Sequence, residues 1–259
     1  MKLLKTLVAA AALAVSVSAF ATPVLPGNET PLQTVINNLY TNAGTDVSKA
    51  PDVNTNQANE SGRFEIEASG GSIATMVIEI AGLAGSNTFG IYDINNSSNF
   101  LQLFSGNASS GYSSTLKVTL TGAGYKFTSI TLDAAGDQVG LATNQLFSSQ
   151  TFGYYLGSGS TPAFFSEASK NNNGEDQMVA FKGDGDKIQL PGGIPAVWGS
   201  SSYILAWEDQ AYGSSDKDFN DMVVYVESVT AVPEPGSLAL LGLGLAGLAA
   251  VTRRKQKKA

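Results

Sequence analysis

The chain has 259 residues, with 15 basic and 22 acidic side chains that give a net charge of −7, and it contains no histidine or cysteine. Without these two residue types a chain cannot form a disulfide framework, a thiolate nucleophile, a Ser-His-Asp triad or an ordinary zinc site. Most familiar hydrolase chemistries are therefore excluded, and any catalysis would have to use carboxylates, tyrosines or lysines.

The N-terminus has the composition of a secretory signal peptide. Two lysines precede the apolar run 7–20, which contains nothing more polar than serine. Ala19 and Ala21 are small residues at the two positions that a signal peptidase inspects. The sequence therefore predicts a signal peptide over 1–21, cleaved before Thr22.

The segment 30–39 is predicted to form one short helix. Thr30 and Pro31 are favourable residues for a helix start, and apolar side chains then recur at positions 32, 35, 36 and 39 with helical spacing. The polar stretch that follows has little to bury. We therefore expect residues 22–62 to form a short N-terminal helix and an irregular arm.

From residue 63 the pattern changes to short runs rich in β-forming residues, separated by Gly, Asn and Ser. Their spacing of roughly ten residues favours antiparallel strands. The sequence predicts an all-β domain over 63–230, folded as an antiparallel β-sandwich or jelly roll. The predicted strands cover 63–68, 73–81, 88–94, 100–104, 115–121, 129–132, 151–156, 163–166, 178–182, 187–190, 203–208 and 222–229.

Alternation assigns the faces of the last predicted strand. Met222, Val224 and Val226 share one side, which is wholly apolar. Because successive side chains of a strand point to opposite faces, we expect this side to face the core.

An acidic block joins the last two predicted strands. Five carboxylates fall within fourteen residues, and Lys217 is the only cation among them. Crowded carboxylates repel one another, and a bound dication offsets this repulsion. Oxygen ligands without His or Cys favour calcium over a transition metal. The predicted ligands are Asp209, Asp216, Asp218, Asn220 and Asp221, with Glu208 as a further ligand if it turns inward.

An EF-hand loop and a solvated acidic loop are the other interpretations of this block. The spacing of Asp216, Asp218 and Asn220 matches the start of an EF-hand loop, but Asp221 occupies the position where that loop needs glycine. An EF-hand is therefore not predicted. A solvated acidic loop held by Asx-turns stays open as the alternative to a cation site.

The C-terminus has three parts in a fixed order: a breaker, an apolar helix and a basic tail. The breaker is Pro233, Glu234 and Pro235, the predicted single transmembrane helix covers 237–252, and the tail 253–258 contains Arg253, Arg254 and Lys255. At about 1.5 Å per residue its fifteen-residue apolar run 237–251 is roughly 22 Å long, which is shorter than the roughly 30 Å hydrocarbon core. It would span by thinning the bilayer locally or by snorkelling.

The basic tail sets the expected orientation. Cations flanking a membrane helix stay on the cytoplasmic side, so the domain is expected in the periplasm, attached to the inner membrane. Without the two ends, residues 22–235 keep eight basic and all 22 acidic side chains, a net charge of −14. Nucleic acid is therefore not an expected partner, because phosphate binding needs clustered cations.

Residues 232–259 resemble a PEP-CTERM sorting signal. In that family a membrane-embedded exosortase acts on the helix and basic tail and cleaves near the Pro-Glu-Pro motif, and the family is linked to bacteria that make exopolysaccharide and biofilm matrix. The resemblance implies that signal peptidase and exosortase are partners during export. It also implies a mature form at the cell surface or outside the cell.

A second resemblance covers roughly 63–229. The segments 87–93, 203–209 and 216–224 are similar to an uncharacterised all-β domain family common among PEP-CTERM proteins. This resemblance implies a β-sandwich with a suspected calcium site at the acidic block, and it implies no enzymatic activity.

Three functions follow as expectations. The first is a non-enzymatic cell-surface or matrix protein stabilised by calcium. The second is a calcium-dependent carbohydrate-binding module or adhesin that engages exopolysaccharide. The third is a carboxylate-pair glycosidase, which would need two carboxyl groups about 5 to 9 Å apart across a cleft.

Overall fold

Two antiparallel β-sheets packed face to face make up most of the fold, as expected for a β-sandwich. The computed structural model describes residues 21–58, 60–67, 71–79, 85–158 and 161–233. All of these belong to one compact unit, Ala21–Pro233. Several predicted features lie outside the described residues. They are the signal peptide with Ala19, the sorting-motif residues Glu234 and Pro235, the helix 237–252 and the tail residues Arg253, Arg254 and Lys255.

The described part of the chain contains fifteen strands. In chain order they are β1 (Arg63–Ile66), β2 (Ser72–Glu79), β3 (Asn87–Asp93), β4 (Asn96–Phe104), β5 (Ser113–Thr121), β6 (Gly124–Leu132), β7 (Thr143–Phe147), β8 (Phe152–Ser158), β9 (Thr161–Phe165), β10 (Met178–Lys182), β11 (Asp186–Leu190), β12 (Ile194–Trp198), β13 (Ser202–Trp207), β14 (Met222–Glu227) and β15 (Val229–Ala231).

The sheet orders bring distant parts of the chain together. One sheet has the order β15-β1-β8-β3-β4, with β9 also paired to β8, and the larger sheet has the order β10-β13-β14-β2-β5-β6-β7. Strands β11 and β12 form a separate two-stranded ribbon. The all-β prediction with one short N-terminal helix is therefore confirmed, and β14 lies near the middle of the larger sheet.

Helical structure is limited to one α-helix and four short 3₁₀ turns in the described residues. These are α1 (Leu32–Asn42) and the turns Val47–Lys49, Ala168–Lys170, Asn172–Gly174 and Pro191–Gly193. The expected cap by Thr30 was wrong. Pro31 occupies the cap position without a side-chain hydrogen bond, and the backbone oxygen of Thr30 instead accepts a hydrogen bond from Asn220.

Three strand predictions needed correction. Strands β7 and β12 were not expected, because 143–147 has few apolar side chains and 194–198 contains Pro195, which usually argues against a strand interior. The last predicted strand is broken at Ser228, whose φ of 59° turns the chain between β14 and β15.

Two apolar cores lie on opposite faces of the larger sheet. The sandwich core fills the space between the two sheets and contains Met222, Val224 and Val226 of β14, so the expected face is buried. The helix-side core covers the other face, where Val223 and Tyr225 pack with apolar residues of α1 and of the β11–β12 ribbon. Strand β14 is therefore buried on both faces, which fixes the position of the loop that precedes it.

Burial of α1 predicts that the N-terminal segment contributes directly to stability. Ile36 is fully buried in the helix-side core, and truncating such a side chain to alanine costs about 2–4 kcal/mol. We expect Ile36→Ala to lower the free energy of unfolding by that amount in urea denaturation. The exposed neighbour Asn38 provides the control, since Asn38→Ala should change it by less than about 0.5 kcal/mol. Equal stability of the two variants would show that α1 is not part of the folding unit.

Candidate cation site

The β13–β14 pairing positions the acidic block. Trp207 at the end of β13 pairs with Met222 at the start of β14. Glu208 and Asp221 directly follow and precede this pair, so the sheet register alone brings the two ends of the acidic connection 208–221 together. The other acids of the connection must then fold back over the end of the sheet.

Three carboxylates converge there. Glu208, Asp216 and Asp218 each offer one oxygen, and these oxygens all lie within 4.8 Å of one another. Glu208 and Asp218 are buried, whereas Asp216 is exposed. We call these three residues the acidic site, and their oxygens lie close enough together to hold one metal ion.

Three buried polar atoms of the acidic connection have no hydrogen-bond partner among the described residues. They are Oε2 of Glu208, Oγ of Ser215 and Oδ1 of Asn220. The remaining polar atoms of the same side chains are satisfied, because Oε1 of Glu208 accepts from the N–H of Phe219 at 2.6 Å and Nδ2 of Asn220 donates to Oδ2 of Asp218 at 2.7 Å. An unpaired buried acceptor costs about 1–3 kcal/mol, which a cation ligand would offset.

The loop backbone is held in an uncommon conformation to present these acids. Lys217 and Phe219 have φ values of 66° and 53°, and left-handed backbone in residues other than glycine costs of order 1–3 kcal/mol. The ring of Phe219 is fully buried in the helix-side core. This anchor holds the loop, so Asp216 and Asp218 stay near Glu208.

The one cation of the acidic block does not neutralise the site. Nζ of Lys217 lies 4.2 Å from the centroid of the Tyr212 ring. Among the described residues, the ion pairs join other groups: Lys49 with Asp186, and Glu167 with Arg63 and Lys170. The negative charge of the acidic site is therefore left without a protein counterion.

Asp209 and Asp221 form a second group beside the acidic site. Oδ2 of Asp221 accepts from the N–H of Asp209 at 2.8 Å, and Oδ2 of Asp209 accepts from Nδ2 of Asn87 at 3.0 Å. Asn87 begins β3 in the opposite sheet, so this group ties the two sheets together at the same end. The structure thus divides the six predicted ligands between the acidic site, Asn220 in contact with Asp218, and the Asp209–Asp221 pair.

Burial raises the pKa values of these acids. The pKa of Asp218 is raised to about 6, mainly by desolvation, and the charge of Asp216 adds to this shift. Desolvation likewise raises the pKa of Asp221 to about 8, with the charge of Asp209 adding. The pKa of Glu208 is also raised, mainly by burial. Without a cation, the site therefore retains protons at pH values where isolated carboxyl groups would be ionised.

The residues that precede α1 lie against the acidic site, a contact that no sequence pattern predicts. A Cβ placed on Gly27 would come within 1.9 Å of Oδ2 of Asp218 and 2.9 Å of Oδ2 of Asp216. The N–H of Leu25 donates to the backbone oxygen of Lys217 at 2.8 Å. These contacts cross nearly the whole chain, so no local pattern could have revealed them. The only sequence signal at Asn87 is that it lies in the segment 87–93, which carries the second family resemblance.

Other acidic segments have ordinary turn and ion-pair roles. Oδ1 of Asp184 accepts from the N–H of Asp186 at 3.3 Å, and Asp186 pairs with Lys49. Oδ2 of Asp176 accepts from the hydroxyl of Thr22 at 2.6 Å. Thr22, the expected first residue of the processed chain, is therefore fixed to the domain.

Comparison with known protein families adds two matches. Residues 231–255 match the PEP-CTERM protein-sorting motif. The chain carries a PEP-CTERM sorting signal. It is therefore an exported protein that passes through a membrane-anchored precursor and is processed by exosortase. Of the expected motif residues, Pro233 is at the end of the described chain, and the described residues contain no helix long and apolar enough to cross a membrane.

The second match is to a domain of unknown function, DUF4114, over residues 134–229. This range includes the whole acidic connection but only part of the fold. Strand β14 pairs with β2, and β1 pairs with β15 and β8, so the matched residues share both sheets with strands that precede residue 134. Searches among curated proteins and solved structures found no match.

The raised pKa values predict a proton-linked cation affinity. Because a cation must displace the proton that Asp218 holds up to about pH 6, calcium should bind more weakly at pH 5.5 than at pH 8. Titration calorimetry in two buffers of different ionisation enthalpy would count the protons released, which we expect to decrease as pH rises. Calcium affinity that stays constant between pH 5.5 and 8 would contradict this account of the site.

Proposed function

We propose that this protein is a non-enzymatic cell-surface or extracellular-matrix component whose β-sandwich is stabilised by calcium bound at Glu208, Asp216 and Asp218. The domain would be periplasmic while the precursor is attached to the inner membrane, and exosortase would release it near Glu234. Biofilm matrix rich in exopolysaccharide is the setting that this sorting route favours.

The observation that carries the proposal is the buried oxygen Oε2 of Glu208, which accepts no hydrogen bond among the described residues. It belongs to a fully buried carboxylate whose near neighbours are two more carboxylates. Removing several negative charges from water without a counterion costs several kcal/mol per ion. A divalent cation at this point would supply both the missing partner and the missing charge.

Calcium fits the donor set better than other common metals. The side chains in reach offer carboxylate, amide and hydroxyl oxygens, and the chain has no His or Cys to favour zinc or copper. Calcium also accepts irregular geometry with six to eight oxygens, so backbone carbonyls and waters can complete the shell. Magnesium demands near-ideal octahedral geometry, which this uneven arrangement suits less well.

The burial of the acids argues against an enzyme. A carboxylate-pair glycosidase needs two carboxyl groups facing each other across an open cleft, but Glu208 and Asp218 are buried and Gly27 packs against Asp218. This arrangement leaves no space for a sugar ring between the two carboxylates. We therefore infer a binding or structural role.

Carbohydrate binding is the second candidate, and the exposure of Asp216 is the observation that favours it. A sugar hydroxyl could approach a bound calcium only from that side. Aromatic stacking gives less support, because Tyr92, Tyr154, Tyr155 and Trp207 are buried in the fold. Glycan binding that disappears with a chelator would select this candidate over a purely structural calcium site.

Calcium should raise the thermal stability of the processed domain, residues 22–235, measured by calorimetry. At a calcium concentration a hundred times the dissociation constant, binding adds about 2.7 kcal/mol. For a domain of this size we expect a Tm increase on the order of 5–10 °C. A chelator should reverse it, and an unchanged Tm would contradict the proposed function.

The substitution Asp218→Asn tests whether Asp218 is a calcium ligand or an ordinary loop residue. It keeps the shape of the side chain but removes the charge that a cation would bind, so it should abolish the calcium-dependent increase. Asp137→Asn removes an exposed acid from a turn outside the site and should leave the increase intact. A variant Asp218→Asn that retains the full increase would rule out Asp218 as a ligand.

A further inference from the structure

The first residues of the processed chain run directly over the acidic site. We call residues 22–30 the N-terminal strap. Gly27 lies at its middle, where any side chain would collide with Asp218 and Asp216. No left-handed backbone explains the glycine, since Gly27 is not among the residues of positive φ. The requirement for glycine is steric, and it arises from close packing of the strap on two carboxylates of the site.

Hydrogen bonds on both sides of Gly27 connect the strap to the loop that carries the acids. On one side the N–H of Leu25 donates to the oxygen of Lys217 at 2.8 Å. On the other, Nδ2 of Asn220 donates to the oxygen of Thr30 at 2.9 Å. Lys217 separates Asp216 from Asp218, and Asn220 also bonds Asp218. The strap therefore braces the loop on both sides of a central ligand.

The outer end of the strap is held by two side chains distant from the acids. Gln57 bonds both backbone groups of Thr22, accepting from its N–H at 2.9 Å and donating to its oxygen at 2.7 Å. Asn54 does the same for Val24, at 2.8 Å and 3.3 Å. Such reciprocal bonds fix backbone that belongs to no strand or helix, so the strap is docked along its length.

We propose that the N-terminal strap is a closing element of the cation site, so that cation binding and docking of the mature N-terminus are thermodynamically coupled. This inference rests on the proposed calcium site. Without a cation, the negative charges of Asp216 and Asp218 next to Gly27 oppose docking of a strap that itself carries the acid Glu29. With calcium bound, that repulsion is offset and the loop adopts the form to which the strap bonds. The coupling is reciprocal. A docked strap therefore raises calcium affinity by the same factor by which bound calcium favours docking of the strap.

Two variants test the coupling without removing a ligand. Gly27→Ala wedges a methyl group against Asp218, whereas Asn54→Ala combined with Gln57→Ala releases the strap at residues remote from the acids. Each should weaken calcium binding on the order of tenfold in titration calorimetry, within the range usual for coupled sites. Gly199→Ala is the matched control, because a Cβ there meets nothing within 4 Å and calcium affinity should not change.

Hydrogen exchange of the unmodified processed chain provides a measurement that needs no variant. We expect the amides of Leu25 and its strap neighbours to exchange more slowly with calcium than with a chelator, and magnesium to have a smaller effect. Calcium binding with unchanged strap exchange, or with equal affinity in all variants, would overturn the coupling and leave the proposed site intact. Absence of calcium binding to the parent chain would overturn both proposals.

Discussion

Electrostatic repulsion among buried carboxylates at the end of the β13–β14 hairpin is the constraint to which the surrounding structure responds. Glu208 and Asp218 are buried, where water cannot screen their charges and the interaction between them is strong. The protein supplies individual donors, such as the N–H of Phe219 and the amide of Asn220. These donors satisfy single oxygens but supply no net positive charge.

The two cores explain why the acids cannot simply move apart. Strand β14 is buried between the sandwich core and the helix-side core, so its first residue cannot shift without disturbing both. Phe219 fixes the C-terminal part of the acidic connection in the helix-side core. The positive φ values of Lys217 and Phe219 are a local cost that this packing imposes. The fold therefore forces the carboxylates together.

Sequence reasoning could find the hairpin because its signals are local. Alternation in β14 and the acids before it lie within a few residues of one another, and the register of an antiparallel hairpin then brings its ends together. Sequence reasoning could not show which predicted ligands lie with Asp218 and which form the Asp209–Asp221 pair. Their grouping depends on how the loop folds back and on Asn87 from the other sheet. Side-chain direction within a loop has no periodicity to reveal it.

The contacts of the N-terminal strap also could not be predicted from the sequence. Its contacts join residues about 190 positions apart, as in the bond from Asn220 to Thr30, and the strap itself belongs to no strand or helix. The strap also connects the site to export, because a chain cleaved before Thr22 would keep every strap residue. Processing by signal peptidase and by exosortase would then leave the cation site whole in the mature domain.

The most direct measurement of the central claim is a crystal structure of residues 22–235 grown with calcium, with anomalous scattering used to locate the ion. The account predicts one anomalous peak about 2.3–2.6 Å from oxygens of Glu208, Asp216 and Asp218. Crystals with no peak there, and with Oε2 of Glu208 still unpartnered at saturating calcium, would contradict it.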